Sequence, residues 1–140
     1  METKFDGQGQ QRTDMGWEVY PKAIYDIVMQ ITRDYNRPAI EITENGCAYN
    51  DGPEPDGVID DQRRIDFHRS YLMELANAIR DGADVRGYYA WSLLDNFEWS
   101  EGYSARFGLV YVDFPTQERI LKESGRWYTK VVAGNALPGS

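Results

Sequence analysis

Two places in the chain set carboxylates and indoles where they could do chemistry. In the first, Ala39-Ile40-Glu41-Ile42-Thr43 is rich in β-branched residues that favour a strand, and the run stops on Glu44 before Asn45-Gly46. Alternation puts Ile40, Ile42 and Glu44 on one face, and Asn-Gly reads as a turn able to take positive φ. Glu44 therefore sits at the carboxyl end of a strand, the edge on which parallel α/β folds hang their working loops. In the second place Trp91 ends an apolar run, and Asp95, Asn96, Phe97, Glu98, Trp99 and Glu101 follow. Large aromatics on a loop cost solubility unless they cover something. A sugar suits them, because a pyranose offers an apolar C–H face to indole and hydroxyls to carboxylates. A carboxylate at Glu44 aimed at the same mouth could attack an anomeric carbon, as in retaining glycosidases, whose two carboxyl groups stand about 5–5.5 Å apart. A plainer alternative stays open at each place: a strand ending in a solvated Glu, and a Trp91 in the core with Trp99 capping the sheet.

The elements that must position these residues follow from periodicity. Residues 1–16 are polar and aperiodic and read as a loop or disordered lead-in. Pro21 suits a first helical turn, and Ile24, Ile27, Val28, Ile31 and Tyr35 recur at helical spacing, which gives a helix over about 21–35. The strand bearing Glu44 comes next. A Gly/Pro/Asp-rich loop over about 49–60 then looks too polar for the core and long enough to overhang a site. From Asp61 a second helix shows Ile65, Leu72, Leu75, Ala76 and Ile79 on one face and stops at Gly82. The stretch from Val85 to Leu93 reads as a strand covered on both faces. Residues 109–114 and 118–121 form a hairpin, and a last helix over about 123–132 buries Trp127, Tyr128, Val131 and Val132. The alternation of helix and strand points to an α/β fold with a parallel sheet.

Composition narrows the function. The 140 residues support one domain at most, and the net charge of -8 disfavours nucleic acid and anionic lipid. No stretch approaches the roughly 20 apolar residues of a membrane span, and the opening residues lack the apolar core of a secretion signal, so a cytoplasmic location is expected. Cys47 is the single cysteine and His68 the single histidine, too few for a His- or Cys-rich metal site. No metal or cofactor is expected. Cys47 reads as a small packing residue and His68 as a surface or hydrogen-bonded one.

Three stretches together carry a resemblance. Ile42-Thr43-Glu44-Asn45-Gly46, then Gly87-Tyr88-Tyr89-Ala90-Trp91-Ser92-Leu93-Leu94-Asp95-Asn96-Phe97-Glu98-Trp99, then Gly102-Tyr103-Ser104-Ala105-Arg106-Phe107-Gly108-Leu109, resemble glycoside hydrolase family 1, the retaining β-glucosidases. Asp14 to Pro21 fits the segment entering that family's sixth helix. The resemblance implies the carboxy-terminal portion, helix 6 to helix 8, of a TIM (β/α)8 barrel, so that residues 1–140 form a single incomplete domain. It implies that Glu44 is the nucleophile, that Glu98 binds the glucose 4- and 6-hydroxyls, that Trp99 donates its indole N–H to the 3-hydroxyl, that Trp91 forms the stacking floor and that Phe107 lines the wall near carbon 6. It also implies a cis peptide bond after Trp91 and an unphosphorylated glycone.

The departures set a second group of expectations. The family's general acid/base lies in an Asn-Glu-Pro motif, and none occurs here. The implied partners are a β-glucoside or short β-linked oligosaccharide and the amino-terminal portion of the same barrel, or failing that a second copy of the chain. The alternative to a glucosidase fragment is a catalytically inactive fragment or carbohydrate-binding unit. A free-standing flavodoxin-like domain is disfavoured, since only two sheet strands are evident and no Gly-rich phosphate loop is present.

Overall fold

The computed structural model describes residues 4–5 and 11–138. Within the lead-in, β1 (Lys4–Phe5) and β2 (Gln11–Arg12) form a minimal antiparallel pair, so part of the expected loop is paired; the rest of residues 1–10 lies outside the described residues. Helix α1 (Lys22–Asp34) follows Pro21, whose ring fixes φ at -59°. It buries Ile24 and Val28, while Ile27 and Tyr35, expected on the same face, are exposed. Asn36 and Arg37 both take left-handed conformations (φ 56° and 54°) before Pro38, and the helix cannot continue through them.

Strand β3 (Ala39–Gly46), helix α2 (Gln62–Arg80) and strand β4 (Asp84–Trp91) make a parallel βαβ unit, with β3 hydrogen-bonded to β4. The α/β expectation is met in this unit. A core fills the space between the pair and both helices: Ile24 and Val28 from α1, Ile40 from β3, and Phe67, Tyr71, Leu75 and Ala78 from α2. The buried face of α2 differs from the expected one. Ala76 and Ile79 are not buried, and the inward stripe instead contains Arg64, Phe67, His68 and Tyr71. Aliphatic residues alone do not define the stripe, because two polar side chains are buried on it with partners. Strand β4 ends at Trp91, two residues early, and it is covered on one face only: Tyr88 packs against the core, whereas Tyr89 on the opposite face is exposed.

A hairpin of β5 (Val110–Asp113) and β6 (Glu118–Leu121) turns at Gln117, and helix α3 (Glu123–Gly134) ends on a left-handed Asn135. Trp127 is buried, but Val132, expected inside, is 66% exposed. The 49–60 loop is anchored at its two ends, its middle, residues 52–58, is exposed, and none of it overhangs the cavity at the carboxyl ends of β3 and β4. Tyr49, Asp51 and Ile59 are all buried, Asp51 accepts from Arg63 Nη2 at 3.1 Å, and the Ile59 carbonyl receives the Glu123 N–H at 3.1 Å. Cys47 is buried as expected, and burial pushes its thiol up to about 12.

Arg64 ties these parts together from a fully buried position. Its Nε donates to Asp61 Oδ2 at 2.9 Å, Nη1 to the carbonyls of Cys47 and Phe107, and Nη2 to the carbonyls of Tyr49 (2.8 Å) and Arg106 (3.1 Å). Asp61 stands at the N-cap of α2 yet does not cap it; its carboxylate receives the Ser124 N–H (2.8 Å) and Oγ–H (2.5 Å) at the start of α3. One ion pair thus joins α2, α3 and the loops after β3 and β4. Substituting Met for Arg64 leaves Asp61 buried and uncompensated, and the expected loss is about 3–5 kcal/mol of unfolding free energy, measured by urea denaturation.

His68 takes the hydrogen-bonded of its two expected roles, fully buried with Nδ1 3.0 Å from the Tyr88 hydroxyl, and burial followed by the nearby Arg64 charge lowers its pKa to about 3. The unfolded chain takes up a proton below about 6.5, where the folded chain does not. Stability carried by the neutral imidazole is therefore present above that pH and is lost as pH falls from 6.5 toward 3. A Phe at position 68 should flatten this part of the stability–pH curve; an unchanged slope would locate the acid sensitivity elsewhere.

Candidate active site

A cavity of about 570 Å³ opens at the carboxyl ends of β3 and β4. Its wall brings together all five side chains singled out in the sequence: Glu44, Trp91, Glu98, Trp99 and Phe107. Each arrives by a different local device. Glu44 lies beside an irregularity in the β3–β4 register, where Ile42 pairs with Tyr88 and Asn45 with Ala90, so three steps on one strand match two on the other. A bulge of this kind re-aims a side chain next to a site. The expected Asn-Gly turn is not formed. Strand β3 runs through Gly46, which pairs with Trp91, and neither Asn45 nor Gly46 has positive φ. Glycine is needed there for a different reason, because a Cβ would lie 1.8 Å from the Trp91 carbonyl oxygen.

The peptide bond between Trp91 and Ser92 is cis, as the resemblance implied. Ser92 N–H donates to the Phe107 carbonyl at 3.1 Å, and Leu109 N–H donates to the Ser92 carbonyl at 2.9 Å, which fastens the buried Phe107 ring alongside the end of β4. Glu98 and Trp99 are presented by a tight turn: Glu98 N–H donates to the Gly102 carbonyl at 2.6 Å, Gly102 N–H to the Trp99 carbonyl at 3.1 Å, and Trp99 takes a left-handed φ of 39°. The Trp99 indole is 79% exposed.

The acidic cluster after β4 divides. Asp95 is buried and points away from the cavity, accepting from Arg106 Nη1 (2.6 Å), Gly108 N–H (2.8 Å) and Lys122 Nζ (3.1 Å). Burial, with Arg64 adding to it and Asp95 opposing, lowers the Lys122 pKa to about 8, so the lysine still carries its proton at neutral pH. Glu101 lies outside the cavity wall, and Glu98 alone of the three carboxylates reaches it. Residues 49–60 contribute nothing to the wall.

Several lining residues escaped the sequence reading. Thr13, Trp17 and Glu18 come from the segment before α1, where Thr13 N–H donates to the Trp17 carbonyl at 2.8 Å and Trp17 N–H to Thr13 Oγ1 at 3.2 Å. This turn sets the exposed Trp17 ring 5.9 Å from that of Phe107. The signal was available, since a tryptophan on a polar loop is the same anomaly that marked Trp99. Glu18, Glu44 and Glu98 are the charged members of the wall, and no Lys, Arg or His lines it among the described residues.

Residues 2–137 match the family described as Glycosyl hydrolase family 1. Beta-glucosidase A of Thermotoga maritima is 51% identical over 126 residues, 90% of this chain and 28% of the relative. A 6-phospho-beta-galactosidase of Lacticaseibacillus casei is 47% identical over 135 residues, 93% of this chain and again 28% of the relative. Among solved structures, a Thermotoga maritima beta-glucosidase in complex with azafagomine superposes with a TM-score of 0.91 at 48% identity, covering 96% of this chain and 31% of that one. The chain spans about 28% of the length of the curated relatives it matches.

Gly46→Ala should force the ends of β3 and β4 apart and cost about 1–3 kcal/mol in a denaturation experiment. Gly52→Ala, where a Cβ meets nothing within 4 Å, is the matched control and should leave the midpoint unchanged.

Proposed function

This chain belongs to glycosyl hydrolase family 1, and from that premise we propose that it forms helix 6 to helix 8 of a TIM (β/α)8 barrel that hydrolyses terminal β-D-glucosyl residues with retention. The observation that carries this is the convergence of Glu44, Trp91, Glu98, Trp99 and Phe107 on one cavity. Glu44 attacks the anomeric carbon through a carboxylate oxygen while the glycosidic oxygen departs with a proton from a general acid; water then opens the glucosyl ester. Glu98 accepts the glycone's 4- and 6-hydroxyls, Trp99 donates its indole N–H to the 3-hydroxyl, Trp91 stacks on the sugar and Phe107 closes the wall near carbon 6. The general acid is supplied from outside these 140 residues, which contain no Asn-Glu-Pro. The amino-terminal portion of the barrel brings it and covers the open edges of β3 and β4, which would otherwise leave unpaired backbone groups; self-association is the less economical way to cover them.

The charge of the wall supports a neutral glycone. Three carboxylates, with no cation lining the wall among the described residues, repel a phosphate, so the 6-phosphosugar chemistry named for some relatives does not suit this cavity. A second reading, a catalytically inactive or carbohydrate-binding piece, rests on the absent acid motif. Turnover of a glucoside by the chain alone, against turnover only when the rest of the barrel is added, separates the two.

In the assembled enzyme a 2-fluoroglucoside should esterify Glu44, located by peptide mass mapping, and modification of another carboxylate with Glu44 untouched would overturn the assignment. An aryl β-glucoside should be cleaved in strong preference to the corresponding 6-phosphoglycoside; the reverse preference would refute the neutral-glycone assignment.

A further inference from the structure

Glu44 is exposed on a stretch of β3 whose ladder register is interrupted between Ile42 and Asn45, so the regular backbone pairing does not by itself fix where its carboxylate points. The first side-chain fastening after the interruption belongs to its neighbour. Asn45 Oδ1 accepts the Tyr88 hydroxyl proton at 2.9 Å, and the same hydroxyl oxygen lies 3.0 Å from His68 Nδ1. Tyr88 is on β4 and His68 on α2, so the contact runs from the cavity wall through the sheet to the helix behind it.

Proton bookkeeping gives this chain of contacts a direction. Tyr88 has one hydroxyl proton, and donating it to Asn45 leaves only oxygen lone pairs for His68, whose Nδ1 must then carry a hydrogen. The imidazole is neutral, which makes Nε2 a bare acceptor. That agrees with its surroundings, since Nε2 is buried without a hydrogen-bond partner among the described residues and an N–H there would be left unpaired. The ring is held on three sides, edge-on to Tyr88 (centroids 6.3 Å, 89°), against Phe67 (5.4 Å) and against Tyr128 (6.0 Å). Tyr88 is pinned at its backbone as well, its carbonyl accepting the Tyr128 hydroxyl at 3.3 Å.

We propose that Tyr88 and His68 are positioning residues for Glu44, holding the bulged end of β3 through a His68 N–H to Tyr88 O–H to Asn45 carbonyl relay. The inference rests on Glu44 being the nucleophile. The relay does not touch the sugar. It narrows the range of Glu44 directions, and a nucleophile out of line by a fraction of an ångström loses rate while the glycone contacts at Glu98 and Trp99 still bind.

The test uses the assembled enzyme with an activated aryl β-glucoside, all rates being taken per active site titrated with a 2-fluoroglucoside, so that unfolded protein does not count. Tyr88→Phe and His68→Leu should each lower kcat about tenfold with KM nearly unchanged. The double variant should lose little more than either single one, because both break one chain of hydrogen bonds. His68→Asn, whose amide N–H can stand in for Nδ1–H, should recover most of the kcat lost in His68→Leu. Unchanged kcat per titrated site with only a lower melting temperature would overturn the proposal, as would fully additive losses or failure of the Asn rescue. If Tyr88→Phe yields no titratable sites, the His68→Leu and His68→Asn pair decides the same question. Glu44→Gln, which forms no ester to titrate and is assayed per mole of folded protein, keeps the two ideas apart: an active Glu44→Gln would refute the nucleophile itself, whereas an inactive Glu44→Gln beside a fully active Tyr88→Phe would refute only the positioning.

Discussion

A guanidinium removed from water is the constraint around which this structure is arranged. Its charge can be tolerated inside only if it is neutralised and its N–H groups are satisfied. Asp61 supplies the charge, and four main-chain carbonyls take up the remaining donors of Arg64. Those carbonyls belong to the two loops that flank the cavity, at Cys47 and Tyr49 after β3 and at Arg106 and Phe107 after β4. Satisfying one buried cation therefore fixes the spacing of both loops, and with it the distance between the strand that carries Glu44 and the wall that carries Phe107. Because the acceptors are backbone atoms, the fastening is indifferent to the side chains at those four positions.

Five acidic residues in and beneath the cavity fall into two electrostatic roles. Asp61 and Asp95 are buried beside cations and consume their charge internally, Asp61 against Arg64 and Asp95 against Arg106 and Lys122. Glu18, Glu44 and Glu98 face a cavity without a cation in its wall among the described residues. The two buried carboxylates are neutralised by their cations while the cavity wall is left negative, a field that repels anions.

How much of this was legible depended on whether a residue followed hydrophobic periodicity or broke it with a partner far away in sequence. Glu44 near the end of its strand, Trp91 at the end of the next one, Glu98 and Trp99 on the loop after it, and the βαβ order could be read from alternation and from aromatic residues placed where water should meet them. Arg64 and His68 could not be read as inward-facing: an Asp61–Arg64 pair three residues apart looks the same on a solvated helix, and the carbonyl of Phe107 and the hydroxyl of Tyr88 that receive them inside are 43 and 20 residues away. Asp95 looked like one more carboxylate of a binding loop for the same reason, with Lys122 separated from it by 27 positions. At Asn45-Gly46 local turn chemistry was outweighed by pairing: the glycine admits the Trp91 carbonyl, and the strand continues where the dipeptide alone would have turned.

The placement of the indoles also determines what light the protein emits. Of its four tryptophans, Trp17, Trp91 and Trp99 line the cavity, and only Trp127 is buried elsewhere. Trp17 and Trp99 are more than half exposed, so their emission lies toward the red of a shielded indole's, whereas Trp127 supplies a steady background. The intrinsic fluorescence of this chain is thus in large part the fluorescence of its cavity, and whatever fills that space and excludes water from it is recorded in the spectrum without any added label.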